Sequence, residues 1–237
     1  YAIVITEPPP CPVDLTHYYK LDDPGQPYED FILGNDAYCA SGCPTPTTGT
    51  VVGAQRFDGV DDEVDIADDG TFDWPSDASF TIEFWMKTDE SRSGNRVIIG
   101  RDPPSGSSLH WWIGMDGNRT VRFQCRDTSG NGPYLGGVGP ALNDNEWHHI
   151  VAVRDNGADS NLVYVDGVMI DSGYHDYTAG FESVGNVDVN IGFLNLSGHY
   201  RYDGLIDEMA VYGRALTQTE HGGVHDLGTF AEHVLGP

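Results

Sequence analysis

Lysine is almost missing from this 237-residue chain. Lys20 and Lys87 stand beside ten arginines, against 27 Asp, 10 Glu and a formal net charge of −25. Nucleic acid is excluded as a partner class, because a phosphate backbone is gripped by clustered Lys and Arg. No apolar run reaches the length of a membrane span, so no membrane insertion is expected. No charged start leads into an apolar stretch either; no signal peptide is visible, and a chain beginning at Tyr1 is expected to be a processed mature form. Internal repeats and βαβ alternation are also missing, which argues against solenoids and parallel sheets.

Cysteine is scarce as well. The four allow three connectivities, and with neither CxxC nor HxxxH among them a zinc site lacks ligands. The short Ala-Ser-Gly spacing between Cys39 and Cys43 favours an oxidised loop, leaving Cys11 for Cys125 by elimination. An even cysteine count in a polar chain points to a secreted or cell-surface setting. The sequons Asn118-Arg119-Thr120 and Asn195-Leu196-Ser197 agree with it. Two readings of the acidity stand open: oxygen ligands for hard cations such as Ca²⁺, or a surface adapted to salt, where self-repulsion is screened.

What the chain does have is thirty glycines, twelve tyrosines and many short runs of alternating hydrophobicity. Phe80, Ile82, Phe84 and Met86 alternate with Thr81, Glu83, Trp85 and Lys87, the period of a half-buried strand. Strands are expected at 17–21, 54–57, 63–66, 97–100, 109–115, 120–125, 147–154, 161–165, 168–170, 187–192 and 204–212, with a long irregular loop at 22–50. Asp166-Gly167 signals a hairpin, and Thr217 is a candidate N-cap for one helical turn. About a dozen strands imply an all-β, two-sheet antiparallel sandwich with Greek-key or jelly-roll connections. The expected division is an N-terminal strand and proline-rich extension (1–14), one sandwich (15–221) and a tail (222–237).

Five segments come in a telling order: Phe57-Asp58-Gly59-Val60-Asp61-Asp62, Ser79-Phe80-Thr81-Ile82-Glu83-Phe84-Trp85-Met86-Lys87, Asn145-Glu146-Trp147-His148-His149-Ile150-Val151, Tyr164-Val165-Asp166-Gly167-Val168 and Asp203-Gly204-Leu205-Ile206-Asp207-Glu208. Together they resemble the laminin G-like jelly rolls of the concanavalin A-like lectin and glucanase superfamily, over about residues 15–221. The resemblance implies a concanavalin A-like sandwich, often with a rim Ca²⁺, and a binding or cell-adhesion role outside the cell. Glucanases of this superfamily carry Glu-x-Asp-x-Glu on one strand, which alternation places on one face. Here Glu63-Val64-Asp65-Ile66 begins that pattern, but Ala67 takes the third acidic place and Asp68 falls one residue late. The expectation is therefore no enzyme and no catalytic residue.

Calcium is the expected cofactor. The turn at 58–62 offers three carboxylates around a glycine bend, and Asp207 lies in phase with Leu205, Met209 and Val211 on a face that reads as buried. Asp58, Asp62 and Asp207 are the expected ligands; the competing reading is that Asp207 accepts backbone N–H bonds and the turn aspartates cap their own loop. In Trp147-His148-His149 the two imidazoles point to opposite faces and cannot share an ion. A carbohydrate or glycoconjugate surface is the expected partner, because exposed aromatic faces stack on sugars. Trp112, Tyr134, Tyr174, His199, Tyr200 and Tyr202 are the candidates. The competing function is a structural subunit of an extracellular filament, self-associating through Ala2-Ile3-Val4-Ile5; third comes a glycan hydrolase.

Overall fold

The computed structural model describes residues 13–40, 42–103, 108–182 and 186–222. The expectations for residues 2–5, Cys11 and the tail from 223 lie outside the described residues. The strands are β1 (Leu15–Tyr19), β2 (Ala37–Cys39), β3 (Thr45–Val51), β4 (Gly53–Asp58), β5 (Val64–Ile66), β6 (Phe80–Lys87), β7 (Arg96–Arg101), β8 (His110–Met115), β9 (Val121–Arg126), β10 (Tyr134–Gly136), β11 (Trp147–Asp155), β12 (Ser160–Val165), β13 (Val168–Tyr174), β14 (Val189–Ile191) and β15 (Asp203–Tyr212), followed by helix α1 (Gln218–Gly222). Sheet A runs β13-β12-β11-β6-β15-β4-β3 with β1 also on β15; sheet B runs β10-β9-β8-β7-β14-β5-β2. The named strand pairs are antiparallel, and the two sheets face each other across one apolar core. This is the expected all-β jelly-roll sandwich.

Alternation builds the core. Phe80, Ile82, Phe84 and Met86 of β6 point into it, opposite Ile99, Ile113, Phe123 and Ile191 of sheet B. Burying those four β6 side chains is worth roughly 6–12 kcal/mol before entropy is charged against it. The other face of β6 is covered too. Leu216 donates its N–H to Thr81 Oγ1 at 2.9 Å, and Thr81 donates to the Arg214 carbonyl, so the chain after β15 crosses the outside of sheet A. Tyr18, Trp85, Ala210, Tyr212 and Leu216 make a second apolar cluster there. Within it Glu83 and His149, both fully buried, pair at 3.2 Å, and Tyr212 donates to Glu83 at 2.7 Å. Burial opposes ionisation of Glu83, but the imidazole and the phenol outweigh it and hold the carboxyl below its usual range. Thr217 starts α1, and its N–H and hydroxyl both donate to Glu220, the side-chain half of a capping box.

Two expectations are corrected here. The segment at 22–50 is not all loop: β2 pairs with β5, and β3 pairs with β4 as an edge strand. Pro46 sits on that edge, where a missing N–H is tolerated. Second, Asp207 is out of phase with Met209 and Val211. A bulge between Asp207 and Ala210 inserts Glu208 (φ 52°), so Ile206 faces the core before it and Met209 and Val211 after it. Asp207 lies on the outer face, opposite Trp85.

Candidate functional site

One transverse register line crosses the outside of sheet B. Tyr38 pairs with Asp65, Asp65 with Asn190, Asn190 with Gly100, Gly100 with Trp112, Trp112 with Gln124 and Gln124 with Tyr134. Neighbouring residues on each strand enter the core, so alternation turns all seven outward. Seven strands about 4.8 Å apart make a row of roughly 29 Å. Aromatic rings stand exposed at its ends, Tyr38 at 52% and Tyr134 at 44%, and the Arg122 guanidinium lies 4.4 Å from the Tyr134 ring centre. Between them come a carboxylate, two amides and an indole. Trp112 donates its indole N–H toward His110 and Gln124, both at 3.1 Å. Gly100 is required in the middle, because a Cβ there would stand 2.7 Å from Trp112 Cβ and 3.0 Å from Leu194.

The loop from 192 to 202 arches over this row. Its His199 and Tyr200 adopt consecutive left-handed conformations (φ 53° and 48°), a strain that the flanking hydrogen bonds impose. Leu194 N–H donates to the His199 carbonyl, and Val97 N–H to that of Tyr200, at 2.8 and 2.9 Å. Leu194, Leu196 and Tyr200 then pack on Trp112 and Val97. Three concavities result. A cleft of about 300 Å³ lies over Glu63, Asp65, Asp188, Asn190, Phe193 and Asn195. A small cavity of about 70 Å³ lies between the loop and His110, Trp112 and Gln124. Another cleft of about 300 Å³ opens at the rim, beside Arg92, Arg96, Tyr200 and Arg201.

The acids of the first cleft are tied. Asn190 donates to Asp65 at 2.8 Å and receives the Asn195 N–H at 2.9 Å. Burial, with Asp188 and Glu63 adding repulsion, raises the Asp65 carboxyl despite that amide. Glu63 pairs with Arg201 and, at 3.3 Å, with His199. Asp68 is turned away, held at 2.5 Å by the fully buried Arg101, which also takes Asp73 and the Val187 carbonyl.

Of the six expected sugar-binding residues, Trp112, Tyr134, His199 and Tyr200 gather on this face, though the loop covers Trp112 to 2% exposure. Tyr202 is fully buried in the core and donates to the Lys87 carbonyl at 3.0 Å. Tyr174 is 74% exposed but lies on β13, the edge of the other sheet. Tyr38, Asn190 and Gln124 escaped sequence reasoning. The Asp65 alternation located their face, but only the strand order aligns them.

Asp207 does not join the turn aspartates. Asp203 pairs with Asp58, so Asp207 lies about 13 Å further along its strand. Its Oδ2 accepts Thr50 N–H and Thr50 Oγ at 2.7 Å and Val51 N–H at 3.3 Å, while Oδ1 is buried without a partner. Burial drives the carboxyl up to about 7 in spite of those bonds. Asp58 and Asp62 do come together, with Asp61 as third member, their carboxylate oxygens within 4.8 Å. Asp58 also caps the turn, accepting Val60 and Asp61 N–H, and Asp62 accepts Asp58 N–H. In Trp147-His148-His149 the alternation is as expected: His148 meets Asp166 and Asp144, while His149 meets Glu83. Cys39 and Cys43 form a disulfide; Cys125 is a free, fully buried thiol on the core face of β9, and its expected partner Cys11 lies outside the described residues.

A jelly roll with a polar and aromatic row on one outer face defines the class: a concanavalin A-like sandwich. Residues 58–220 match a laminin G-type family described as the concanavalin A-like lectin/glucanases superfamily, and the chain belongs to it. Among solved structures it is similar to the binding domain of Paraclostridial Mosquitocidal Protein 1 (TM-score 0.73, 14% identity), covering 90% of this chain and 52% of that one. The chain thus spans about half of that neighbour's length. It is also similar to domain 4 of AbnA, a GH43 extracellular arabinanase from Geobacillus stearothermophilus, in complex with arabinotriose (TM-score 0.66, 19% identity, 90% and 98% covered). A third is the Ruminococcus gnavus IT-sialidase CBM40 (TM-score 0.53, 19% identity, 62% and 83% covered). No curated protein matches. Among the described residues, no helix is long and apolar enough to cross a membrane.

Proposed function

We propose that this chain is a non-catalytic, extracellular recognition module whose outer sheet B face binds an extended glycan or glycoconjugate. The observation that carries the reading is the register row from Tyr38 to Tyr134. It offers sugar-stacking rings at both exposed ends. Between them the half-buried Asp65 carboxylate opens into the first cleft, while the Asn190 and Gln124 amides lie buried under the 192–202 loop and hold the row in place. Several structural neighbours are binding domains, and domain 4 of AbnA was solved in complex with arabinotriose, which supports the same reading. A structural Ca²⁺ belongs to it: Asp58, Asp61 and Asp62 would hold the ion, which would neutralise the repulsion that helps raise Asp62. Secretion accords with the Cys39–Cys43 disulfide.

The test is calorimetric titration with neutral oligosaccharides, including arabino- and gluco-oligosaccharides, against the wild type and the variants of the two exposed rings, Tyr134→Ala and Tyr38→Ala. Binding that weakens about ten-fold in the variants, with melting temperature unchanged, is expected. Absence of glycan binding at millimolar concentration sinks the reading. A second reading, glycan hydrolysis, is favoured by the raised Asp65 beside Glu63. Against it, Arg201 occupies Glu63 and Arg101 occupies Asp68. Reducing-sugar release from the same oligosaccharides would decide for the enzyme.

A further inference from the structure

The rim cleft has a charge opposite to that of the protein. In a chain of twelve cationic residues and net charge −25, three arginines converge on it, Arg92, Arg96 and Arg201. None of the residues lining it is acidic; the rest are glycines, Ser93, Asn95 and Tyr200. The carboxylates that hold these arginines lie behind them. Glu90, almost wholly buried, accepts Arg92 Nε and Arg96 Nε on one oxygen, both at 2.5 Å, and Asp203 N–H on the other at 3.2 Å. Arg92 also reaches Asp203 at 3.5 Å, a carboxylate that Arg56 shares. Arg56, Arg92, Arg96 and Arg201 thus meet only Glu63, Glu90 and Asp203, and the cluster keeps one positive charge in excess. Arg201 reaches Glu63 through Nη2, while its Nε–H is buried with no acceptor. An uncompensated buried donor is costly unless a ligand takes it.

Two glycines keep the cleft open. A Cβ on Gly59 (φ +69°) would stand 2.2 Å from Arg92 Nη2, and one on Gly198 would stand 3.2 Å from the Tyr200 ring. The protein's overall negative field does not forbid an anion here, because charges beyond about 8 Å are screened at physiological ionic strength. Guanidinium forks act at contact and match planar carboxylates.

We infer that the rim cleft is an anion site that receives the carboxylate of an acidic saccharide, with Arg201 and Arg92 as its binding residues and Tyr200 beside the ring. That a sugar carries the anion rests on the glycan-binding reading above; the anion site itself does not.

The experiment is titration of the protein with N-acetylneuraminate, glucuronate, inorganic sulfate and galactose, repeated with Arg92→Gln and Arg201→Gln. Arg92 is 47% exposed, so its variant is expected to stay folded, and melting temperature checks both. The inference expects the acidic sugars to bind, galactose not to bind in this cleft, and each variant to lose about ten-fold or more in affinity. Equal affinity for galactose, or variants that bind as the wild type does, overturns it. Sulfate binding without acidic-sugar binding overturns the saccharide assignment and leaves an inorganic anion site. Failure of all four probes overturns the anion site, while binding of neutral oligosaccharides in the earlier titration would leave the glycan-face reading intact.

Discussion

Asp207 makes stability depend on pH in a direction opposite to the usual one for carboxylates. Its folded value of about 7 lies above the ordinary 3.8, with burial as the main cause. The folded protein therefore keeps a proton that the unfolded chain has released. The contribution is complete below about pH 3.8 and is lost as pH rises to about 7. At 1.36 kcal/mol for each tenfold change, that loss is about 4 kcal/mol, a large share of a typical total of 5–15. Asp207→Asn removes the ionisation, and an amide oxygen can still accept the Thr50 and Val51 N–H groups. Urea unfolding at pH 4.5 and pH 8 should show a steep fall for the wild type and a shallower one for the variant. Glu208, pushed up to about 8 by burial with Asp207 as a further cause, should keep part of the slope in the variant, since the two carboxyls titrate as a pair. Equal pH dependence in the two proteins would show that Asp207 is not desolvated as described.

Four other outcomes are expected. His149→Ala should cost about 3–5 kcal/mol in chemical unfolding, because it leaves Glu83 charged and buried without its partner. Cys125, whose thiol burial pushes up to about 12, should stay unlabelled by iodoacetamide in the native protein and react after unfolding, as read by peptide mass spectrometry. Gly100→Ala should destabilise by about 1–3 kcal/mol and change the near-ultraviolet tryptophan signal, since its methyl meets Trp112 and Leu194. Asp62→Asn should weaken Ca²⁺ binding in calorimetry and reduce any rise in melting temperature that Ca²⁺ gives over chelator; an unchanged isotherm would remove the ion from this turn.

The sandwich was legible because its longest strands obey a simple period. The alternation of Phe80, Ile82, Phe84 and Met86 is the inner face of β6, and Asp166-Gly167 is the expected turn between β12 and β13. The missed strands are short or sit on an edge: β2 has three residues, and its pairing with β5 is a long-range fact. The site was half legible, for a related reason. Residue types can nominate Trp112 or Tyr134, but only strand order puts them in line with Asn190 and Tyr38. Tyr200 and Tyr202 are two residues apart, and one lines the clefts while the other is buried in the core. Left-handed backbone at 199 and 200 breaks the parity that sequence reasoning assumes. Asp207 misled in the same way, through one inserted residue.

That insertion also divides the labour of β15. On its rim side, Asp203 to Ile206 pair with β4; on the far side, Met209 to Tyr212 pair with β1. The bulge falls where the partner changes, so the strand works as two short segments joined at a slip point. Substitutions or length changes in the 192–202 loop can pull on the first segment without dragging the second out of register. The outer face of sheet B can therefore be reshaped while the packed interior stays as it is.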